Sequence, residues 1–121
     1  MRSMIILAAL VGSMAVNAET VRVSITGIKF LPNVIQVRAG DTVEFTNDSN
    51  FTHTVTADPK LAKNAANVIL PTGATPFHSG PLAPGMNFSR TFTVPGLYQY
   101  VCLPHEKHGM FGQVEVQAAD L

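Results

Sequence analysis

The sequence predicts an all-β domain, an antiparallel sandwich of about seven or eight short strands. Apolar and polar residues alternate with period 2 in short runs, and Gly, Pro, Asn and Asp interrupt those runs at close intervals. A strand of this kind has one apolar and one wet face, and two such sheets bury each other's apolar faces.

In chain order, the first segment stands apart. Arg2 supplies a positive start, Met4 to Val11 is a short apolar run, and Val16-Asn17-Ala18 places small residues before a cut near Glu19. That run is far shorter than the about 20 residues a membrane span needs. The expectation is a secretory signal peptide over 1–18 and one domain over 19–121.

Strands then follow in turn. Val21, Val23 and Ile25 alternate with Arg22, Ser24 and Thr26. Val34 to Val37 ends at the Ala39-Gly40-Asp41 turn, and Thr42 to Thr46 resumes the alternation. Loop residues Asn47 to Asn50 lead to a short strand over Phe51 to Thr56. Asp58-Pro59 opens a helix-tolerant stretch, so a helical turn is expected near 59–67. Residues 71–87 are rich in Pro and Gly and read as a long loop with little regular structure. Asn87 to Val94 alternates again, Pro95-Gly96 turns the chain into Leu97 to Cys102, and Gly112 to Val116 closes the domain.

Composition narrows the function. Eight Lys plus Arg balance eight Asp plus Glu among 121 residues, which argues against a nucleic-acid partner. With 46% hydrophobic and 13% charged residues, the chain is too apolar for intrinsic disorder. One cysteine forms no intrachain disulfide. There is no internal repeat, no Gly-rich phosphate loop and no sign of a second domain. Export would place Cys102 in an oxidising compartment, where a free thiol is a liability unless protected or used.

The chemistry concentrates in Cys102-Leu103-Pro104-His105-Glu106-Lys107-His108-Gly109-Met110, a C-x2-H-x4-M spacing between two strands. A loop held at both ends by a sheet can present thiolate, imidazole and thioether to one point. His53 is the fourth candidate, on its own strand. Two His, one Cys and a weak Met suit type 1 copper: thiolate and imidazole bind both oxidation states, and the thioether tunes the potential. Each residue also has a plainer reading, His53 as a packed histidine, Met110 as core filler and Cys102 as a small buried hydrophobe. Their coincidence in one exported β domain favours the metal. His78 and His108 read as surface residues.

Gly96 to His105, Gly109-Met110 and Gly112 to Val116 resemble the C-terminal half of small blue copper proteins, the cupredoxins of the plastocyanin, amicyanin and pseudoazurin group. Phe30-Leu31-Pro32, Ala39 to Val43 and His53-Thr54-Val55 match that group too, so the resemblance covers nearly all of residues 20–117. It implies a Greek-key β-sandwich and one-electron transfer through a single copper held by His53, Cys102, His105 and Met110. Two departures stand out: Thr54 where many relatives carry Asn to tie the ligand loops together, and His108 inside the ligand loop.

Period-2 parity puts Tyr98, Tyr100 and Cys102 on one strand face, with a tyrosine corner expected at Tyr98. By the resemblance, redox partners dock briefly around the His105 edge, on a patch formed with Ile28, Thr52, Pro104 and Gly109. Near-neutral charge predicts weak salt dependence of that contact. The sequence thus points to a monomeric, exported electron carrier of the periplasm, a thylakoid lumen being the other compartment such a signal allows. The alternatives are a Cu(I) carrier or storage protein without redox cycling, a copper enzyme, which needs extra histidines, and a zinc module, for which Met is a poor ligand.

Overall fold

The computed structural model describes residues 17–119, so residues 1–16 of the expected signal segment lie outside the described residues. The described residues fold as a β-sandwich of nine strands: β1 (Thr20–Thr26), β2 (Lys29–Leu31), β3 (Val34–Arg38), β4 (Thr42–Asn47), β5 (Thr56–Ala57), β6 (Phe77–His78), β7 (Asn87–Thr91), β8 (Gly96–Val101) and β9 (Phe111–Gln117). One sheet has the order β2-β1-β4-β7 and the other β3-β9-β8-β5-β6.

The sheets are mixed rather than purely antiparallel. β1 runs parallel to β4, with Thr20 opposite Thr42, and β3 runs parallel to β9, with Val34 opposite Gln113. Alternation marks a strand and its buried face but carries no information on the direction of a distant partner. Both parallel pairs join strands separated by a crossing to the other layer, where that information is missing.

Three other expectations shift. Of the 51–56 segment only Thr56 is strand, continuing into Ala57 and preceded by an isolated bridge between His53 and Leu82. The helical turn contracts to a 3-10 segment over Ala65–Asn67, its start capped by the Asn64 side chain, which accepts from the Ala66 N–H at 3.0 Å. The Pro- and Gly-rich loop contains a strand, β6, because Phe77 is buried while its neighbour pairs with Thr56.

Between the sheets, the alternating residues interdigitate. Val23, Ile25, Val43, Phe45, Phe30, Phe92, Tyr98, Tyr100 and Val114 form the centre of the core. Tyr100 meets Phe30 and Phe45 edge-on, with ring centroids 4.7 and 5.3 Å apart, as aromatic quadrupoles prefer. Gly112 faces that ring from β9, and a Cβ there would fall inside it. Tyr98 donates its hydroxyl to the Val94 carbonyl at 2.8 Å, the expected tyrosine corner. Burying this core anchors β8 and β9, and so fixes both ends of the loop between them.

Candidate metal centre

That loop carries three of the four residues singled out in the sequence. Its base is closed by the Cys102 N–H, which donates to the Met110 carbonyl at 3.0 Å just beyond the Val101–Phe111 pair. Leu103–His108 coils as a 3-10 segment broken at His105, whose backbone is non-helical. Gly109 ends it with φ +77°, a left-handed conformation that glycine adopts without strain. The same sequence that lacks a helical period therefore curls tightly enough to turn His105 back over Cys102.

His53 arrives from the other side. Its N–H donates to the Leu82 carbonyl at 3.1 Å and its carbonyl accepts from the Leu82 N–H at 2.8 Å. Buried Asn47 holds this strap, donating through Nδ2 to the carbonyls of Phe51 and Leu82 at 2.7 and 2.8 Å. Because Thr56 pairs with Val101, the His53 segment lies directly against the start of the loop.

The result is a convergent donor set. His53 Nδ1 lies 3.4 Å from Cys102 Sγ, and His105 Nδ1 lies 3.5 Å from it. All three donor atoms fall within 4.8 Å of one another. Metal–nitrogen and metal–sulfur bonds of about 2.0 and 2.3 Å at trigonal or tetrahedral angles put N and S about 3.5 Å apart, so the residues fit a metal. Cys102 and His53 are fully buried and Met110 is buried, while His105 is half-buried and keeps an edge toward solvent. Burial, then the facing His105, hold the His53 imidazole below its ordinary pKa. Burial pushes the Cys102 thiol up, against the N–H groups and the Lys63 cation that favour its thiolate. A metal supplies the positive charge that such a thiolate needs.

Several contributors escape sequence reasoning. Buried Glu106 accepts from the Lys63 N–H at 2.8 Å, the Asn64 N–H at 3.1 Å and Asn67 Nδ2 at 2.9 Å, tying the loop to the 63–67 turn. Burial works against its charge, but these three donors outweigh that and keep its carboxyl below the usual carboxylate range. Thr54 does bridge the two loops: its Oγ1 accepts from the Leu103 N–H at 2.9 Å, and its own N–H faces Cys102 Sγ at 3.5 Å. Phe51, 53% exposed, sets its ring centroid 6.3 Å from that of His105. His108 is exposed, and neither it nor His78 joins the three-donor group. Charge in a hydrophilic-looking loop gave no hint of Glu106, whose donors lie about forty residues away in sequence.

Comparison with known proteins decides the metal. The family model of copper-binding proteins of the plastocyanin/azurin family matches residues 17–117. The chain belongs to this family. It is a type 1 cupredoxin, and its cofactor is copper. Chloroplastic plastocyanin of Hordeum vulgare is 37% identical over 87 residues, covering 72% of this chain and 54% of that one, so the chain spans about half the length of that relative. Amicyanin of Paracoccus versutus is similar in structure, with a TM-score of 0.63 and 27% identity over 84% of this chain and 85% of that one. A copper-containing nitrite reductase of Thermus scotoductus matches with a TM-score of 0.66 and 30% identity, over 88% of this cupredoxin and 24% of the enzyme's chain.

Proposed function

We propose that this cupredoxin is an exported one-electron carrier whose single copper is held by His53, Cys102, His105 and Met110. The observation that carries the reading is the cluster of two imidazole nitrogens and one sulfur: three donors at metal-ligand spacing, two of their residues fully buried and the third, His105, reaching the surface. When bound, copper supplies a Cu(II)/Cu(I) couple.

The chain's own residues do the rest. The Leu82 strap holds His53 and the β8–β9 hairpin holds Cys102 and Met110, so the donor positions stay fixed as charge changes at their centre. Rigid donors keep rearrangement small. Phe51, itself half exposed, sets its ring centroid 6.3 Å from each of the two imidazoles. The half-buried His105 edge gives a partner's electron a route from the surface to the site. Partners therefore dock transiently around His105, on the exposed surface of Phe51, Ile28, Thr52, Pro104 and Gly109.

A carrier role rather than an enzymatic one is in line with the plastocyanin and amicyanin relatives, while the nitrite reductase matches over 24% of its own chain. A signal peptide over 1–18, a domain over 19–121, a periplasmic location and a monomeric state complete the reading. No helix among the described residues is long and apolar enough to cross a membrane.

The test is the visible spectrum of the purified protein loaded with Cu(II), before and after ascorbate. An intense red-region band that bleaches reversibly, and is absent in Cys102→Ser, supports a thiolate–copper redox centre. A colourless or merely pale-blue product with tight Cu(I) binding overturns electron transfer and favours a carrier.

A further inference from the structure

Thr54, Thr56 and His78 form an unbroken hydrogen-bonded line from the surface to the residue beside Cys102. The Leu103 N–H donates to Thr54 Oγ1 at 2.9 Å, Thr54 Oγ1 lies 2.8 Å from Thr56 Oγ1, and Thr56 Oγ1 lies 2.9 Å from His78 Nδ1. Sheet register builds the line: Thr56 pairs with Val101 of β8 on one side and with His78 of β6 on the other. Thr54 and Thr56, two residues apart, turn their hydroxyls toward each other.

Burial fixes the direction in which the protons point. Thr54 is 5% exposed and Thr56 fully buried, so neither hydroxyl has bulk water to turn to. An amide N–H only donates, so Thr54 Oγ1 accepts from Leu103 and passes its own proton to Thr56. That order has Thr56 donate to His78 Nδ1, so the inferred tautomer carries its proton on Nε2. Reversing a hydroxyl would leave a buried O–H aimed at nothing, with the penalty of a lost hydrogen bond.

We propose that His78 is a positioning residue of the copper centre: through Thr56 and Thr54 it fixes the Leu103 N–H and the Thr54 N–H that faces the Cys102 sulfur. Thr54 holds Leu103 through its hydroxyl and faces Sγ through its backbone N–H. Hydrogen bonding around the cysteine sulfur tunes the potential of such sites, so a displaced Thr54 changes the potential. The inference rests on the copper reading for that redox consequence alone. The hydrogen-bonded line belongs to the protein with or without metal.

Two measurements test it. Amide hydrogen exchange at Leu103 is followed by NMR in the metal-free protein, and the reduction potential is measured in the copper protein. His78→Ala removes the terminal acceptor from an exposed position. Thr56→Val breaks the middle of the line and keeps the test open should His78→Ala lower stability. Both are expected to speed Leu103 exchange about tenfold, the effect of one lost hydrogen bond, and to lower the potential. His78→Asn, whose Oδ1 can accept in place of Nδ1, is expected to restore both. Native exchange at Leu103 in folded His78→Ala and Thr56→Val proteins overturns the proposal. A moved potential with native exchange overturns it too, because it reports only the loss of the imidazole's own field. If copper gives no red-region band, the electron-carrier reading fails and the exchange result still decides the line.

Discussion

Tyr100 and Tyr98 sit two residues apart on the same strand face, yet their hydroxyls have opposite fates. Tyr98 reaches the Val94 carbonyl, whereas buried Tyr100 Oη has no hydrogen-bond partner among the described residues, and burial raises its pKa far above the ordinary tyrosine value. Leaving a buried donor unanswered costs about 1–3 kcal/mol, and removing it restores part of that. Tyr100→Phe is therefore expected to raise stability by about 1 kcal/mol in urea unfolding, and Tyr98→Phe to lower it by about 1 kcal/mol. Equal effects of the two changes would refute the distinction. Parity in the sequence placed both rings inward, and Val94 lies near enough in sequence for the corner to be foreseen. The apolar packing around Tyr100 depends on Gly112 and Phe30, which no local pattern brings together. Asp41 gives a pH signature at the same scale. The N–H groups of Arg38 and Glu19 donate to its carboxylate, both at 2.9 Å, and hold its pKa below the ordinary value against the opposing effect of burial. The native state therefore binds fewer protons than the unfolded chain between those two pKa values, and stability rises with pH there. The contribution is complete above the ordinary carboxylate pKa and vanishes as pH falls through the native one. Denaturant melts from pH 7 to pH 2 should show a steeper acid decline for the parent than for Asp41→Asn.

At the scale of elements, the ligand loop is held by its neighbours more than by its own sequence. Glu106 links it to the 63–67 turn through three donors, and Lys63 Nζ adds a bond to the Leu103 carbonyl at 3.1 Å. Glu106→Ala leaves those donors to water and is expected to cost about 2 kcal/mol in denaturant unfolding of the metal-free protein. Native stability in that variant would show the clamp to be idle. Much of this architecture was legible. The runs around Val23, Val43 and Tyr98 announced β1, β4 and β8 because a half-buried strand must alternate. The spacing of Cys102, His105 and Met110 announced the loop because strands on both sides fix its ends. Three-residue β2 and two-residue β6 are too short for a period to register, and Phe77–His78 hides among prolines and glycines. The clamp and the Thr54–Thr56–His78 line were not legible, since both depend on which distant strands become neighbours.

For the molecule as a whole, charge and shape bear on how it meets a partner. Over residues 19–121, seven cationic and eight anionic side chains leave a net charge near −1, too small to steer an approach strongly from afar. The residues proposed for the contact around His105 are mostly uncharged and several are apolar: Phe51 is 53% and Ile28 43% exposed, and Thr52, Pro104 and Gly109 are exposed too. Electron exchange between oxidised and reduced copies of this chain probes that surface without any other protein, because on the proposed reading two His105 edges approach each other. Pro104→Glu places one new carboxylate on each copy, so like charges meet across the contact. Self-exchange measured by NMR line broadening should fall at least about tenfold at low salt, the equivalent of about 1.4 kcal/mol of repulsion, and recover as salt screens it. Reaction with a small uncharged oxidant, which needs no such contact, should stay near the parent rate. The parent protein itself should show little salt dependence. Unchanged self-exchange in a Pro104→Glu protein with an intact red-region band would move electron entry away from His105.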